Sequence, residues 1–141
     1  MTEWTPEFLN ANRPPCSNAM DGKILAFDAE RLTVKMEFLA PTEWVNPRGT
    51  IQGGFVAAFV DEVLNLPVLM VHSGKAAPLT LELKISYFKP MMPGKIFGEG
   101  QIIKMGKSIA FLEAQLFDEQ GDVLVKATST AKLTAVPNGQ T

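Results

Sequence analysis

Cysteine, histidine and tyrosine each occur once in the 141 residues. A lone Cys16 excludes an intramolecular disulfide framework and any zinc site built on several cysteines. A lone His72 leaves little for Ser-His-Asp or Cys-His chemistry or for a metal held by imidazoles. It also falls just past an apolar run, at the end away from the Gly-Gly turn described below, and reads as structural or solvent-facing. No metal and no cofactor are therefore expected. Basic residues are not in excess: 13 Lys and Arg against 15 Asp and Glu give a net charge of −2. Nucleic acid is not an expected partner. No stretch of about 20 uninterrupted apolar residues marks a membrane span, so no membrane partner is expected, and neither repeats nor low-complexity segments occur. The first ten residues are polar and acidic rather than a secretory signal, which makes the cytoplasm the expected location.

What is present fits one ordinary domain spanning residues 1–141, with 46% hydrophobic and 20% charged residues. The chain is organised around 46–70, NPRGTIQGGFVAAFVDEVLNLPVLM. This stretch opens with a Gly-rich turn and continues as a helix-like run that is apolar on nearly every side. A helix of that kind belongs inside a fold. Asp61 and Glu62 interrupt it, and buried carboxylates are costly unless paired, hydrogen-bonded or used. Gly54, Ala57 and Ala58 lie seven, four and three residues before Asp61 and share its face, as does Asn65 four residues later. The stripe of small side chains leaves room beside Asp61 for a ligand or for close packing. Gly53 and Gly54 stand where the helix begins, and the first N–H groups of a helix have no internal partners. With the positive end of the helix dipole they can polarise a carbonyl. Free donors followed by a carboxylate suit acyl transfer or hydrolysis, whereas the plainer reading is tight helix–sheet packing with Asp61 an ordinary satisfied group. Glu62, on a stripe with Phe55 and Phe59, reads as a structural or interface residue.

Residues 5–12 suit a short N-terminal helix capped by Thr5 with Pro6 at its first position. The segment RPPCSNAMDG reads as a loop, with Cys16 a small buried hydrophobe. Segments 23–28 and 31–39 form an expected hairpin. In the second, Leu32, Val34, Met36 and Phe38 alternate with polar residues, the pattern of a strand with one wet face. After the helix, 79–89, 95–104, 108–117 and 123–133 all read as strands. Leu79, Leu81, Leu83, Ile85 and Tyr87 alternate with Thr80, Glu82, Lys84 and Ser86, and Gly98 and Gly100 suggest a bulge or strong coiling. The implied architecture is α+β, a long curled antiparallel meander around one buried helix, with a core of about 22–133 and a disordered C-terminal tail. Such a sheet has edges that need pairing, and a closed two-fold dimer is the simplest solution.

The order of strand, strand, buried helix and four strands, with Asn46, Gln52, Gly53, Gly54 and Asp61 at the helix, resembles the hotdog-fold acyl-CoA thioesterases. Within them it is similar to the phenylacetate-pathway, PaaI-like group of the 4-hydroxybenzoyl-CoA thioesterase superfamily. The resemblance implies a hotdog fold, hydrolysis of an acyl-CoA or aryl-CoA thioester, and a homodimer or a homotetramer made as a dimer of dimers. It also implies site residues. Asp61 is the general base or nucleophile, the Gly54 N–H polarises the thioester carbonyl beside Gly53, and Asn46 places the water or the carbonyl. Thr80 is a hydroxyl from the opposite subunit. Lys107 falls where the family holds the CoA phosphates, and Arg48 is a further candidate for a phosphate. The family usually has His where this chain has Gln52, which keeps a donor and an acceptor but does not titrate near neutral pH. The substitution argues against the hotdog dehydratases and hydratases. It also leaves open a non-catalytic acyl-CoA-binding or structural protein.

Overall fold

The structure is a computed structural model that describes residues 4–136, so the last part of the expected disordered tail, 137–141, lies outside the described residues. The elements are α1 (Pro6–Ala11), α2 (Pro15–Ala19), β1 (Lys23–Asp28), β2 (Thr33–Ala40), a 3-10 turn (Thr42–Trp44), α3 (Gly53–Val71), β3 (Ala76–Tyr87), β4 (Gly94–Met105), β5 (Ile109–Phe117) and β6 (Val123–Ala135). The Thr5 cap and Pro6 start of α1 are as expected, the Thr5 hydroxyl accepting from the Phe8 N–H at 3.2 Å. The expected loop after it holds a second short helix instead. In α2 only Ser17 is buried, whereas Cys16 is exposed rather than inside the fold.

All six strands form one antiparallel sheet in the order β1-β2-β4-β5-β6-β3. This is a hotdog: a single sheet curled around α3. It is not a simple meander. The strand after the helix, β3, crosses to the far edge and pairs with β6, and β4 returns to pair with β2. The helix separates β2 from β3 in sequence, so β3 can close the far side of the wrap only after the chain has passed through the middle.

The length of α3 and its mean hydropathy of 1.7 would also suit a membrane span. Its burial decides otherwise: Val56, Phe59, Val60, Val63, Leu64 and Val68 lie inside the fold, packed against Phe38, Leu112, Leu116 and Leu124 from the sheet. Pro67 sits within the helix. Having no N–H, it leaves the Val63 carbonyl four residues earlier without its helical donor. Gly100 of β4 lies directly over that carbonyl, and a Cβ there would collide with the Val63 oxygen; one at Gly98 would lie 2.6 Å from Val63 Cγ2. The two glycines therefore let β4 approach the helix closely. The bulge in β4 is elsewhere, between Ile102 and Lys104.

The sheet treats its two edges differently. On β1, the Asn10 side chain of α1 both donates to the Ile24 carbonyl and accepts from the Ile24 N–H, each at 2.8 Å. A single amide thus does the work of a neighbouring strand. Along β3, twelve residues long, no such cover exists among the described residues. Leu79 and Leu81 are 55% and 56% exposed there, and Tyr87 and Phe88 are exposed as well. A long, bare, apolar edge is a pairing surface.

A bulge in β3 breaks the alternation read from the sequence. Its register with β6 shifts between Thr80 and Glu82, so Leu81 is the extra residue. Below the bulge Thr80 turns inward and Leu79 outward; above it Leu83 and Ile85 turn inward. A strict period of two across the whole strand would have put Thr80 on the face away from the helix.

Candidate active site

The start of α3 is fixed from both sides. Trp44 stacks on Phe55 with ring centroids 4.5 Å apart and planes 10° from parallel, and its carbonyl accepts from the Gln52 N–H at 2.9 Å. The Ile51 N–H donates to the Met91 carbonyl at 2.8 Å. Asn46 is spent on its own loop. Its Oδ1 accepts from the Arg48 N–H at 2.9 Å and from the Thr50 N–H at 3.3 Å, and its Nδ2 donates to the Thr50 hydroxyl at 3.1 Å. Such side-chain-to-backbone bonds hold a turn in shape.

Gln52 is the helix N-cap. Its side-chain oxygen accepts from the Gly54 N–H at 2.7 Å and the Phe55 N–H at 3.2 Å. Gly54 makes this possible, since a Cβ at that position would lie 2.8 Å from the Gln52 oxygen. The expectation that the Gly54 N–H is free to polarise a carbonyl is thereby corrected: the Gln52 cap takes that donor. Among the described residues the Gly53 N–H makes no hydrogen bond and is the open donor at the positive end of the helix. The Tyr87 hydroxyl donates to the Gly53 carbonyl at 2.7 Å and ties this turn to β3. Sequence reasoning missed Tyr87 because the unbroken alternation placed it among core side chains.

Two turns along α3, the Asp61 carboxylate is held by two hydrogen bonds in series. Thr80 Oγ1 donates to Asp61 Oδ1 at 2.8 Å, and Asn65 Nδ2 donates to Thr80 Oγ1 at 3.3 Å. Asp61 itself is half-buried, on the face left open by Gly54, Ala57 and Ala58. Asn65 Oδ1 is buried with no partner among the described residues. An orphaned buried acceptor costs about 1–3 kcal/mol, and here the amide is positioned for Thr80 rather than satisfied at both ends. Thr80 was expected to reach a neighbouring subunit's Asp61. The bulge at Leu81 turns it to the Asp61 of its own chain.

Glu62, the next residue, faces the other way. It accepts a hydrogen bond from the buried Ser17 hydroxyl of α2. Burial pushes its carboxyl above the usual carboxylate range; the Ser17 bond offsets part of that rise, and the charge on Asp61 adds to it. Arg48 and Lys107 are not brought together within one chain. Arg48 borders the loop ahead of α3, whereas Lys107 lies in the β4–β5 turn. The neighbouring Met105 in that region meets His72, the C-cap of α3, with Nε2 and Sδ 3.4 Å apart.

Known proteins share the fold of this chain. Residues 48–125, more than half of the chain, match the thioesterase superfamily, and the chain belongs to it. It is 29% identical to human acyl-coenzyme A thioesterase 13 over 105 residues, 74% of each chain. Among solved structures, a phenylacetic acid degradation-related protein from Ralstonia eutropha superposes with a TM-score of 0.82 at 26% identity, covering 89% of this chain and 96% of that one. The PaaI protein of the Escherichia coli phenylacetic acid degradation operon superposes with a TM-score of 0.79 at 13% identity, covering 94% of each. The fold is the hotdog of these thioesterases, and the protein is a thioester hydrolase.

Proposed function

We propose that the protein hydrolyses an acyl-CoA or aryl-CoA thioester at a site shared by two copies of the chain. The observation that carries this is the chain of hydrogen bonds Asn65–Thr80–Asp61, which orients one carboxylate oxygen and leaves the other side of Asp61 open. In the reaction Asp61 takes a proton from water as the water oxygen attacks the thioester carbonyl carbon. The carbonyl oxygen gathers negative charge against the Gly53 N–H. The C–S bond then breaks, and the CoA thiolate is protonated on leaving. Direct attack by Asp61, giving an anhydride that water cleaves, uses the same two ends.

One helix cannot supply both ends to one carbonyl. Gly53 and Asp61 are eight residues apart on α3, about 12 Å at 1.5 Å per residue, while the donor and the attacking water must each lie about 3 Å from the same carbonyl group. The strand beside the helix supports the remedy. Near one end of β3 the Tyr87 side chain reaches Gly53, and toward the other end Thr80 reaches Asp61. A two-fold axis midway between them, at Leu83 and Lys84, pairs β3 with its copy and brings Asp61 of one chain level with Gly53 of the other. The apolar edge of Leu79 and Leu81 is then covered. Arg48 borders a groove of about 420 Å³ together with Asn46, Tyr87 and Phe88, and in this reading it meets the CoA phosphates. Lys89 borders the same groove but is engaged by Asp118 and Asp122, 3.1 and 2.8 Å away. Lys107 stands near the other end of α3, so any phosphate it holds belongs to the copy's site.

The test is release of free thiol from a panel of acyl-CoAs by the parent and by Asp61→Asn. The amide keeps size and can still receive the Thr80 bond but cannot accept a proton, so turnover falls by about a thousandfold, within the roughly 10²–10⁴ ordinarily gained from general base catalysis. A folded Asp61→Asn protein that releases thiol at the parent rate removes Asp61 from the reaction. A parent that releases none favours the binding reading, in which the site holds acyl-CoA without cleaving it.

A further inference from the structure

The N-terminal segment does more than cap a sheet edge. Together with the C-terminal half of α3 it encloses a cavity of about 490 Å³, bordered by Trp4 and Leu9 on one side, Ile24 and Met36 on the sheet, and Leu66 and Leu69 on the helix. Cavities of this size and lining hold small organic ligands. Its helix wall reaches the site described above: Glu62 adjoins Asp61 in sequence, and Asn65, which borders the cavity, bonds the Thr80 that holds Asp61. Nothing in the thioesterase-superfamily match extends to the N-terminal wall, because that match begins at residue 48.

We propose that this cavity is the acyl pocket, and that it selects an uncharged, mainly hydrocarbon acyl or aryl group over short acyl groups and over acyl groups ending in a carboxylate. The inference rests on the thioesterase reading above and deepens it. Both halves of the selectivity come from the lining. Six large apolar side chains favour an apolar guest, each buried methylene contributing to affinity. Asn65 Oδ1 is an acceptor and offers nothing to an anion, and Asn10, Asn12, Arg13 and Glu62 are already committed. Arg13, the cation at the rim, donates to Asp21 at 3.2 Å and to the Gly22 carbonyl at 2.9 Å. Asn10 is bonded to Ile24 and Asn12 to the Phe8 carbonyl. The acidic group present, Glu62, faces Ser17 across the cavity wall. An anionic acyl end would meet a carboxyl and no free cation among the described residues, and a buried unpaired charge is strongly disfavoured. Burial also holds the Glu62 carboxyl toward its neutral form, which suits an uncharged guest.

The experiment uses S-alkyl-CoA thioethers, which cannot be hydrolysed, beside the matching thioesters. Calorimetry measures binding of ethyl-CoA, decyl-CoA and a thioether of similar length ending in a carboxylate. Thiol release measures the acyl-CoA panel. The parent is expected to bind decyl-CoA at least tenfold more tightly than ethyl-CoA, and the carboxylate-ended analogue no more tightly than ethyl-CoA. Leu69→Trp fills the cavity from α3 and Leu9→Trp fills it from α1. Either should reduce the decyl-over-ethyl preference, and the matching kcat/KM ratio of the thioesters, by about tenfold. The half-buried Leu9 keeps the test valid should Leu69→Trp not fold, and a melting curve identifies that case. A preference absent from the parent, or one that survives in every folded filled variant, overturns the pocket. Chain-length-dependent binding without any thiol release instead overturns the hydrolytic reading and leaves the pocket standing.

Discussion

Gln52 shows how one side chain can both complete a helix and reshape a site. Its oxygen takes the Gly54 and Phe55 N–H groups, so the donor left for a substrate carbonyl is Gly53, one residue earlier. Loss of an N-cap side chain costs about 0.5–2 kcal/mol. Gln52→Ala should therefore lower the stability of the protein by about 1 kcal/mol while exposing a second donor at Gly54. Denaturant unfolding checks the first effect, and an unchanged midpoint would mean that the cap does not form in solution. The neighbouring pair Asp61 and Glu62 divides its labour by environment, Asp61 held by a hydroxyl on an open face and Glu62 buried against Ser17. Because burial raises the Glu62 pKa in the folded state, the folded protein holds that proton more tightly than the unfolded chain. The stability it contributes is full below the unfolded pKa and declines as pH rises through the folded pKa. Glu62→Gln removes this dependence. It should raise the melting temperature at pH 8 relative to the parent and shrink the difference toward pH 4. A parallel offset at both pH values would contradict the assignment.

At the scale of elements, the fit of α3 to β4 depends on an absence on each side. Pro67 has no N–H to cover the Val63 carbonyl, and Gly100 has no Cβ to strike it. Gly100→Ala forces a methyl group against backbone rather than against a side chain that could turn aside. Overpacking typically costs about 1–3 kcal/mol, occasionally more, and this position belongs at the upper end. Gly98→Ala meets the Val63 side chain instead and should cost less. Unfolding midpoints of the two variants give the comparison, and equal, small losses would show that β4 can retreat freely. The bulge at Leu81 is the other decisive local feature. It sets the two halves of β3 on opposite phases, bringing Thr80 to Asp61 while Leu83 and Ile85 still face the core.

For the whole molecule, the bare β3 edge and the length of α3 both support the proposed site shared with a second copy. Replacing Leu79 and Leu81 by lysine places like charges on an edge that must pair with itself, so dimer and turnover should be lost together. Sedimentation and thiol release measure the two, and a fully active monomer would contradict a shared site. Mixing variants tests which residues travel together. Since Asp61 and Thr80 belong to one chain's half of the site, hybrid dimers of Asp61→Asn with Thr80→Val contain no half-site with both groups intact. Mixing should give no recovery beyond the sum of the parents. Recovery would instead show that Thr80 serves the partner's Asp61, the arrangement that simple strand alternation suggests.

Much of this molecule is legible in its sequence because the signals are local. A helix apolar on nearly every side, preceded by Gly53 and Gly54 and followed by alternating segments, determines a buried helix within a curled sheet. The spacing of Gly54, Ala57, Ala58, Asp61 and Asn65 determines one open face bearing a carboxylate. Thr5 and Pro6 likewise determine where α1 begins. Only the tertiary structure decided which partners those groups meet. A one-residue bulge reverses the facing of Thr80, and nothing in the run LTLELKISY marks Leu81 as the extra residue. The strand order depends on β3 crossing the sheet to reach β6, a long-range pairing that no local period encodes. The two glycines of β4 could have made a bulge or a close approach, and the freed carbonyl opposite Pro67 selected the approach. The free donor shifted from Gly54 to Gly53 for the same kind of reason. Residue type places a donor along the chain, but which hydrogen bond it makes is settled by the side chain that meets it there.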